Sequence, residues 1–365
     1  MSEQGVIESR RAKNGAFLSI VRLGIGHYAG YLPPISDWSA IEMLAEQQGL
    51  SAIIVDGVEK LQKDKRPPQD ILLQWIGTVL QEYEYRYDSY RTAIANLAGW
   101  YNQHGYKMMV LKGYVCSLDW PKPEHRPCGD IDIWLFGEQK EADALLKNER
   151  EIEIEKDQHH HTIFSWQDFV VENHYDFVNV HAHRSSRELE AIFKELGADD
   201  AHFVELNGEK VYTPSPNFHA LFLIRHAASH FAAEGITLRQ VLDWAFFVEK
   251  HSSQIDWKWL VALLDKYHMR NFYNCLNAIC VENLGFPVNI FSGVQFDPSL
   301  KERILNDILM PKYEHEPPVS LIPRLIFKWK RWRDNKWKRD LCYNEGDLSS
   351  FVTGMWAHIM KPKSI

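Results

Sequence analysis

The sequence predicts an α+β fold: a small mixed β-sheet flanked by N-terminal and C-terminal helical regions. Three observations predict it. Apolar residues recur at three- and four-residue spacing over residues 37–104, short apolar runs and two-residue alternation follow over 107–174, and helical spacing returns from about Pro216. The division this implies is 1–105, 106–215 and 216–365, with a basic Trp-rich segment at 322–341. The chain has 365 residues, 45% apolar and 25% charged, which suits a folded protein of two or three domains.

The first helix reads over 37–62, opening on an Ser36-Asp37-Trp38 N-cap signal with Glu42 behind it. A second, over 69–104, follows Pro67-Pro68 and carries Ile71, Leu72, Trp75, Val79, Leu80 and Tyr83 at helical spacing. Gly105 stands where a C′ glycine would end it. Lys107–Leu111 is a short apolar run suited to a buried strand. Asp130–Phe136 alternates, placing Asp130, Asp132 and Trp134 on one face and Ile131, Ile133 and Leu135 on the other. A helix over Glu138–Lys147 precedes strands at Glu151–Lys156, His160–Trp166 and Phe169–His174, the last two joined at Gln167-Asp168. Helices over Phe218–Phe231, Leu238–His251 and Trp257–Leu284 complete the pattern.

Composition narrows the function. The net charge of −8 argues against a protein that coats nucleic acid by general attraction. The charge is uneven, however: residues 322–341 hold eight basic and two acidic side chains, which leaves −14 for the remainder. Arg22 and glycines interrupt the early apolar stretch, so no signal peptide is read, and no apolar run approaches a membrane span. Five cysteines without a CxxC fit neither a disulfide framework nor a zinc knuckle. The expectation is a cytoplasmic protein with reduced thiols.

Chemistry concentrates at the centre. Asp130 and Asp132, two apart on a strand, point the same way about 6–7 Å apart and can share a hard cation. Alone, this pair also fits an edge strand with a solvated polar face. Its neighbours favour a site. Lys112-Gly113 ends a strand and enters a helix from Tyr114, where backbone N–H groups can approach an anion. Strand Phe169–His174 adds Glu172 and, on the same face, His174. Three carboxylates facing a glycine turn suit phosphoryl transfer assisted by two metal ions.

These residues carry a family resemblance. LKG, then R-x-x-GDIDI, then VVENHYDF, then HFAAEGITLRQVLDW resembles the uncharacterised nucleotidyltransferase family of the polymerase-β-like nucleotidyltransferase superfamily, over roughly residues 35–280. The resemblance implies Mg²⁺ or Mn²⁺ on Asp130 and Asp132, with Glu172 as the third carboxylate and activator of the incoming hydroxyl. It implies ATP or another NTP as donor and a hydroxyl-bearing acceptor, a small molecule before a macromolecule. Gly113 matches the first residue of the superfamily's Gly-Ser turn, but Tyr114 replaces the serine. Lys112 and Arg126 are the cations left to meet the triphosphate, so the expected nucleotide-binding set is Lys112, Gly113, Tyr114 and Arg126. Arg239 and Asp243 match the family's R-x-x-x-D arrangement, for which the plain reading is a salt bridge within one helix.

Other features have simpler readings. His174 either assists metal or substrate or holds a structural hydrogen bond. Asp176 replaces Glu172 if the strand register shifts. Neighbouring histidines at 159–161 alternate faces on a strand, which spoils convergence on one ion. His226 and His230, four apart without an adjoining Glu, read as helix packing. In segment 322–341 the default is an amphipathic helix packed on the protein, ahead of a nucleic-acid stripe and a membrane-surface helix. The overall reading is a metal-dependent nucleotidyltransferase. The alternatives are a toxin-like enzyme acting on tRNA or protein, and a non-catalytic nucleotide-binding module on the same scaffold.

Overall fold

A computed structural model describes residues 3–27, 32–35, 37–156, 160–180, 183–293, 295–313 and 318–343. Its helices are α1 (Glu3–Gly24), α2 (Trp38–Gln48), α3 (Ser51–Glu59), α4 (Gln69–Val79), α5 (Arg86–Gln103), α6 (Tyr114–Ser117), α7 (Gln139–Arg150), α8 (Arg184–Gly197), α9 (Pro216–Ala233), α10 (Leu238–His251), α11 (Trp257–Lys266), α12 (Arg270–Ala278), α13 (Pro298–Leu309), α14 (Leu321–Asp334) and α15 (Lys336–Cys342). The strands are β1 (Met109–Val110), β2 (Ile131–Trp134), β3 (Glu155–Lys156), β4 (His161–Trp166), β5 (Phe169–His174), β6 (Phe203–Leu206) and β7 (Glu209–Tyr212). They form one mixed sheet in the order β3-β4-β5-β2-β1-β7-β6. The expected α+β architecture is present.

Alternation along β2 sorts its side chains between two cores. Ile131, Ile133 and Leu135 enter one with Tyr90, Ile94, Trp166 and Val171, under α5 and α7. Trp134 enters the other, which gathers Phe17, Ile53, Met109, Phe177, Phe218, Trp244, Phe272 and Cys342. Residues from the N-terminal, central and C-terminal stretches therefore share one apolar core, and the polar positions of β2 face it.

Two expected helices are each split, at residues with left-handed backbone. The helix over 37–62 becomes α2 and α3, because Gly49 takes φ 65° and ends α2; at the other end the Asp37 side chain accepts from the Ala40 amide. The helix over 257–284 breaks at His268, with φ 60°, into α11 and α12. By contrast α4 and α5 run on through a π-helical turn at Leu80–Tyr85, as the continuous periodicity required. Five elements have no counterpart among those expected from the sequence: α1, α8, α13, β6 and β7. The β6–β7 hairpin turns at Asn207-Gly208, both with positive φ, so an Asn-Gly signal was present. His159 lies outside the described residues.

Helices α1 and α3 cross at glycines. A Cβ at Gly24 would overlap the Ile53 carbonyl, and one at Gly57 would overlap the Ile20 carbonyl. Backbone cannot yield there as a side-chain tip would, so Gly57→Ala should destabilise by about 1–3 kcal/mol, as overpacking typically does. Urea unfolding should show a lowered midpoint with m unchanged; an unchanged midpoint would mean the crossing is loose.

Candidate active site

Strand register assembles the acids. β2 and β5 pair in parallel with Asp132 opposite Glu172 and Trp134 opposite His174. β4 pairs antiparallel with β5, setting His161 opposite His174. Opposite residues share a face of a sheet, so Asp132, Glu172, His174 and His161 converge. This register sets Glu172, and not Asp176, beside Asp132; Asp176 lies 3.5 Å from Lys194.

Asp132 is 2% exposed, and a buried carboxylate is costly unless paired. Lys112 Nζ lies 2.9 Å from its Oδ1 and His174 Nε2 lies 3.2 Å from the same oxygen. Burial works against ionisation of Asp132, but these two partners hold its carboxyl far below the usual range. His174 Nδ1 stands 3.2 Å from the Asp176 carbonyl oxygen, and its Nε2 is also 3.6 Å from Glu172. Both ring nitrogens thus face acceptors. Burial lowers the His174 pKa, and the hydrogen bonds to Asp132 and Glu172 more than reverse that. Asp130 is exposed. Its carboxyl is raised by partial burial and by the neighbouring charges of Glu172 and Asp132.

Asp132, Glu172 and His174 each offer a ligand atom within 4.8 Å of the others. Two carboxylates and an imidazole fit Mg²⁺ or, with the nitrogen donor, Mn²⁺. His174 is thus drawn into the acidic group, while Asp130 stands at its edge.

Gly113 takes φ 62°, and a Cβ there would come 2.5 Å from Tyr90 Oη, which donates to the Asp130 carbonyl at 2.8 Å. The glycine is needed both for its backbone conformation and for this approach to the aspartate-bearing strand. The expected helix N-terminus beyond it is a single turn, α6, and the Tyr114 side chain is buried in the core beside Tyr87. Tyr114 does not face the cleft, so the nucleotide contact expected of it falls away.

A cleft of about 280 Å³ opens between the sheet and helices α9 and α10, lined by Lys112, Gly113, Asp130 and Asp132 on one side and His226, His230 and Arg239 on the other. The arginines pair otherwise than expected. Arg126 closes a two-pronged pair on Asp243, at 2.8 and 2.9 Å, and Trp120 Nε1 donates to the same carboxylate at 2.9 Å. Arg126 is therefore committed structurally, and the salt bridge expected between Arg239 and Asp243 is replaced by this one. Arg239 lines the cleft, and its Nε is buried without a hydrogen-bond partner. Burial and the nearby Arg126 lower its pKa. The sequence reading also missed His226 and His230 as cleft walls. Burial and the Lys112 charge depress both pKa values, leaving neutral imidazoles.

Removing one member of the buried Arg126–Asp243 pair strands the other. Arg126→Ala and Asp243→Ala should each destabilise by about 3–5 kcal/mol in urea unfolding, and the double variant by clearly less than their sum. Arg239→Ala should stay within about 1 kcal/mol of wild type, since it breaks no pair. Full additivity of the first two would refute the pairing.

The family described as uncharacterised nucleotidyltransferase matches residues 34–285, more than half of the chain. A crystal structure of an antigenic nucleotidyltransferase-like protein from Paracoccidioides brasiliensis is similar at 16% identity and a TM-score of 0.34, covering 49% of this chain and 88% of that one. No curated protein matches. Among the described residues no helix is long and apolar enough to cross a membrane. On the extent of the family match, with its acids in register on β2 and β5, the chain belongs to the uncharacterised nucleotidyltransferase family.

Proposed function

We propose that this protein transfers a nucleoside monophosphate from an NTP to a hydroxyl on a small-molecule acceptor, releasing pyrophosphate. The observation that carries this reading is Asp132, which lines with Asp130 a cleft whose far wall holds Arg239 and has Glu172 opposite it in register on β5. Asp132, Glu172 and Asp130 would hold Mg²⁺ or Mn²⁺. When bound, such an ion supplies charge stabilisation to the reacting phosphoryl oxygens.

The chain's own groups do the rest. Asp132 stays ionised because Lys112 and His174 hold it so. Glu172 takes the proton as the acceptor oxygen attacks the α-phosphorus and the bond to the leaving pyrophosphate breaks. Arg239 donates to the triphosphate oxygens, since a buried guanidinium nitrogen without a partner is satisfied by an anion. Lys112 steadies charge beside Asp132. Neutral His226 and His230 add hydrogen-bonding capacity to the wall without repelling a cation.

A macromolecular acceptor is a second reading, favoured by one observation. In the basic segment, α15 packs inward through Trp337 and Cys342, but Ile322, Leu325, Ile326 and Trp329 of α14 are half exposed or more. Intramolecular packing therefore covers only part of 322–341. The toxin-like alternative draws its support from that face. The non-catalytic alternative differs from both in predicting NTP binding without transfer.

The direct test incubates the protein with each labelled NTP, Mg²⁺ or Mn²⁺ and a cell extract, and identifies the molecule that acquires label. Asp130→Asn, at an exposed position, should leave the melting temperature unchanged and abolish labelling; wild-type labelling by this variant would sink the reading. Arg239→Ala should raise KM for the NTP by about 10–100-fold, the equivalent of one to two hydrogen bonds to a charged group. An unchanged KM would remove Arg239 from the triphosphate contact.

The α14 face separates the two acceptor classes. If RNA is bound there, the Trp329→Ala, Lys330→Glu variant should bind it more weakly and lose salt dependence relative to wild type. Equal RNA binding by both proteins would leave the small-molecule acceptor in place.

A further inference from the structure

His160 and His161, which nucleotidyl transfer does not use, cluster at the start of β4 with His174 of β5, which touches Asp132. His160, His161 and His174 each present a ring nitrogen within 4.8 Å of the other two. Their rings pack mutually, with centroids 4.6 Å apart for His160–His161, 5.3 Å for His160–His174 and 5.1 Å for His161–His174. The expectation that successive histidines diverge assumed both lay in the strand. β4 begins at His161, and His160 precedes it, with its carbonyl accepting from the Tyr175 and Asp176 amides at 3.0 Å. That bend turns His160 toward the same side as its neighbour. His161 and His174 then meet directly as cross-strand partners.

We propose that this cluster is a binding site for a late divalent transition ion, Zn²⁺ foremost, separate in its donor set from the carboxylates yet sharing His174 with them. Three imidazoles suit Zn²⁺ and its neighbours in the series, whereas Mg²⁺ prefers oxygen. A tetrahedral ion with bonds of about 2.0–2.1 Å needs its nitrogens about 3.3 Å apart, so small side-chain rotations close the set. His161 and His174 are buried while His160 is half-buried, which leaves an entry route on the His160 side. Glu172 Oε1, 3.7 Å from His161 Nε2, borders the cluster and supplies an anionic neighbour for the cation. Because His174 also touches Asp132, occupancy of this site competes with the carboxylate group for one imidazole.

The test titrates the metal-stripped full-length protein with Co²⁺, whose visible absorption intensifies on low-coordinate nitrogen ligation, and then with Zn²⁺ in competition. Wild type should develop the intense band, and Zn²⁺ should abolish it at one equivalent. His160→Gln and His161→Gln, made singly and checked for folding by circular dichroism, should each weaken binding by at least about 10–100-fold, the loss that even an outer-shell partner produces. Asp130→Asn lies outside the donor set and should keep the band even though it abolishes transfer, so failure of the transferase reading leaves this measurement intact. A weak band of octahedral type in wild type, or equal affinity in wild type and both histidine variants, would overturn the proposal.

Discussion

The in-register parallel pairing of β2 with β5 is the constraint on which the site depends. Side chains on a strand alternate with a period of two, so a slip of one residue would send Glu172 and His174 to the opposite face. That face is the apolar core of Ile133, Val171 and Phe164, where a carboxylate would have no partner. The cost of that misplacement holds the register, and the register in turn brings Asp132, Glu172, His174 and His161 together. The same alternation drives Ile131 and Ile133 into the core beneath. A single pattern in DIDIWLF thus anchors the sheet and presents the acids.

Once placed, the acids create an electrostatic demand. Asp132 is buried, and Lys112 and His174 meet that demand from two sides. Partial burial, with the negative charges of Glu172 and Asp132, raises the Asp130 carboxyl. The geometry around the acids is fixed by Gly113, which allows Tyr90 to reach the Asp130 carbonyl, and by Arg126, which ties the approach to β2 onto α10 through Asp243. These contacts set the width of the cleft from outside the acids themselves.

Much of this was legible in the sequence, for identifiable reasons. The period of two in 130–136 and the apolar spacing of 69–104 are local signals, and both elements stand where the periodicity puts them. Register between β2 and β5 is non-local, yet the family motif already placed Glu172 near Asp132, because GDIDI and VVENH are ordered relative to one another. What could not be read was pairing across distance. Nothing local in LRQVLDW distinguishes an Arg239–Asp243 bridge within a helix turn from an Arg126–Asp243 bridge spanning 117 positions. Tyr114 was misjudged for a similar reason: its place after Gly113 suggested a phosphate contact, but Tyr87 and the core claim its ring. The histidine run was misjudged by one residue of strand boundary.

The pairing of Arg126 with Asp243 is what leaves Arg239 available for the anion contact proposed for it. It lies in the first turn of α10, capped by the Thr237–Gln240 box, where the helix dipole disfavours a cation. Burial disfavours it again, and Arg126 repels it across the cleft wall. Had Asp243 turned to Arg239, those penalties would be offset internally and the cleft would lose its unpaired donor. Because Asp243 instead closes on Arg126 with a two-pronged geometry, its charge offsets the penalties on Arg239 only in part, and Arg239 Nε keeps no hydrogen-bond partner. A phosphate at that point relieves all three penalties together. The structural ion pair and the proposed binding residue are therefore one arrangement: the first leaves the Nε of the second without a partner.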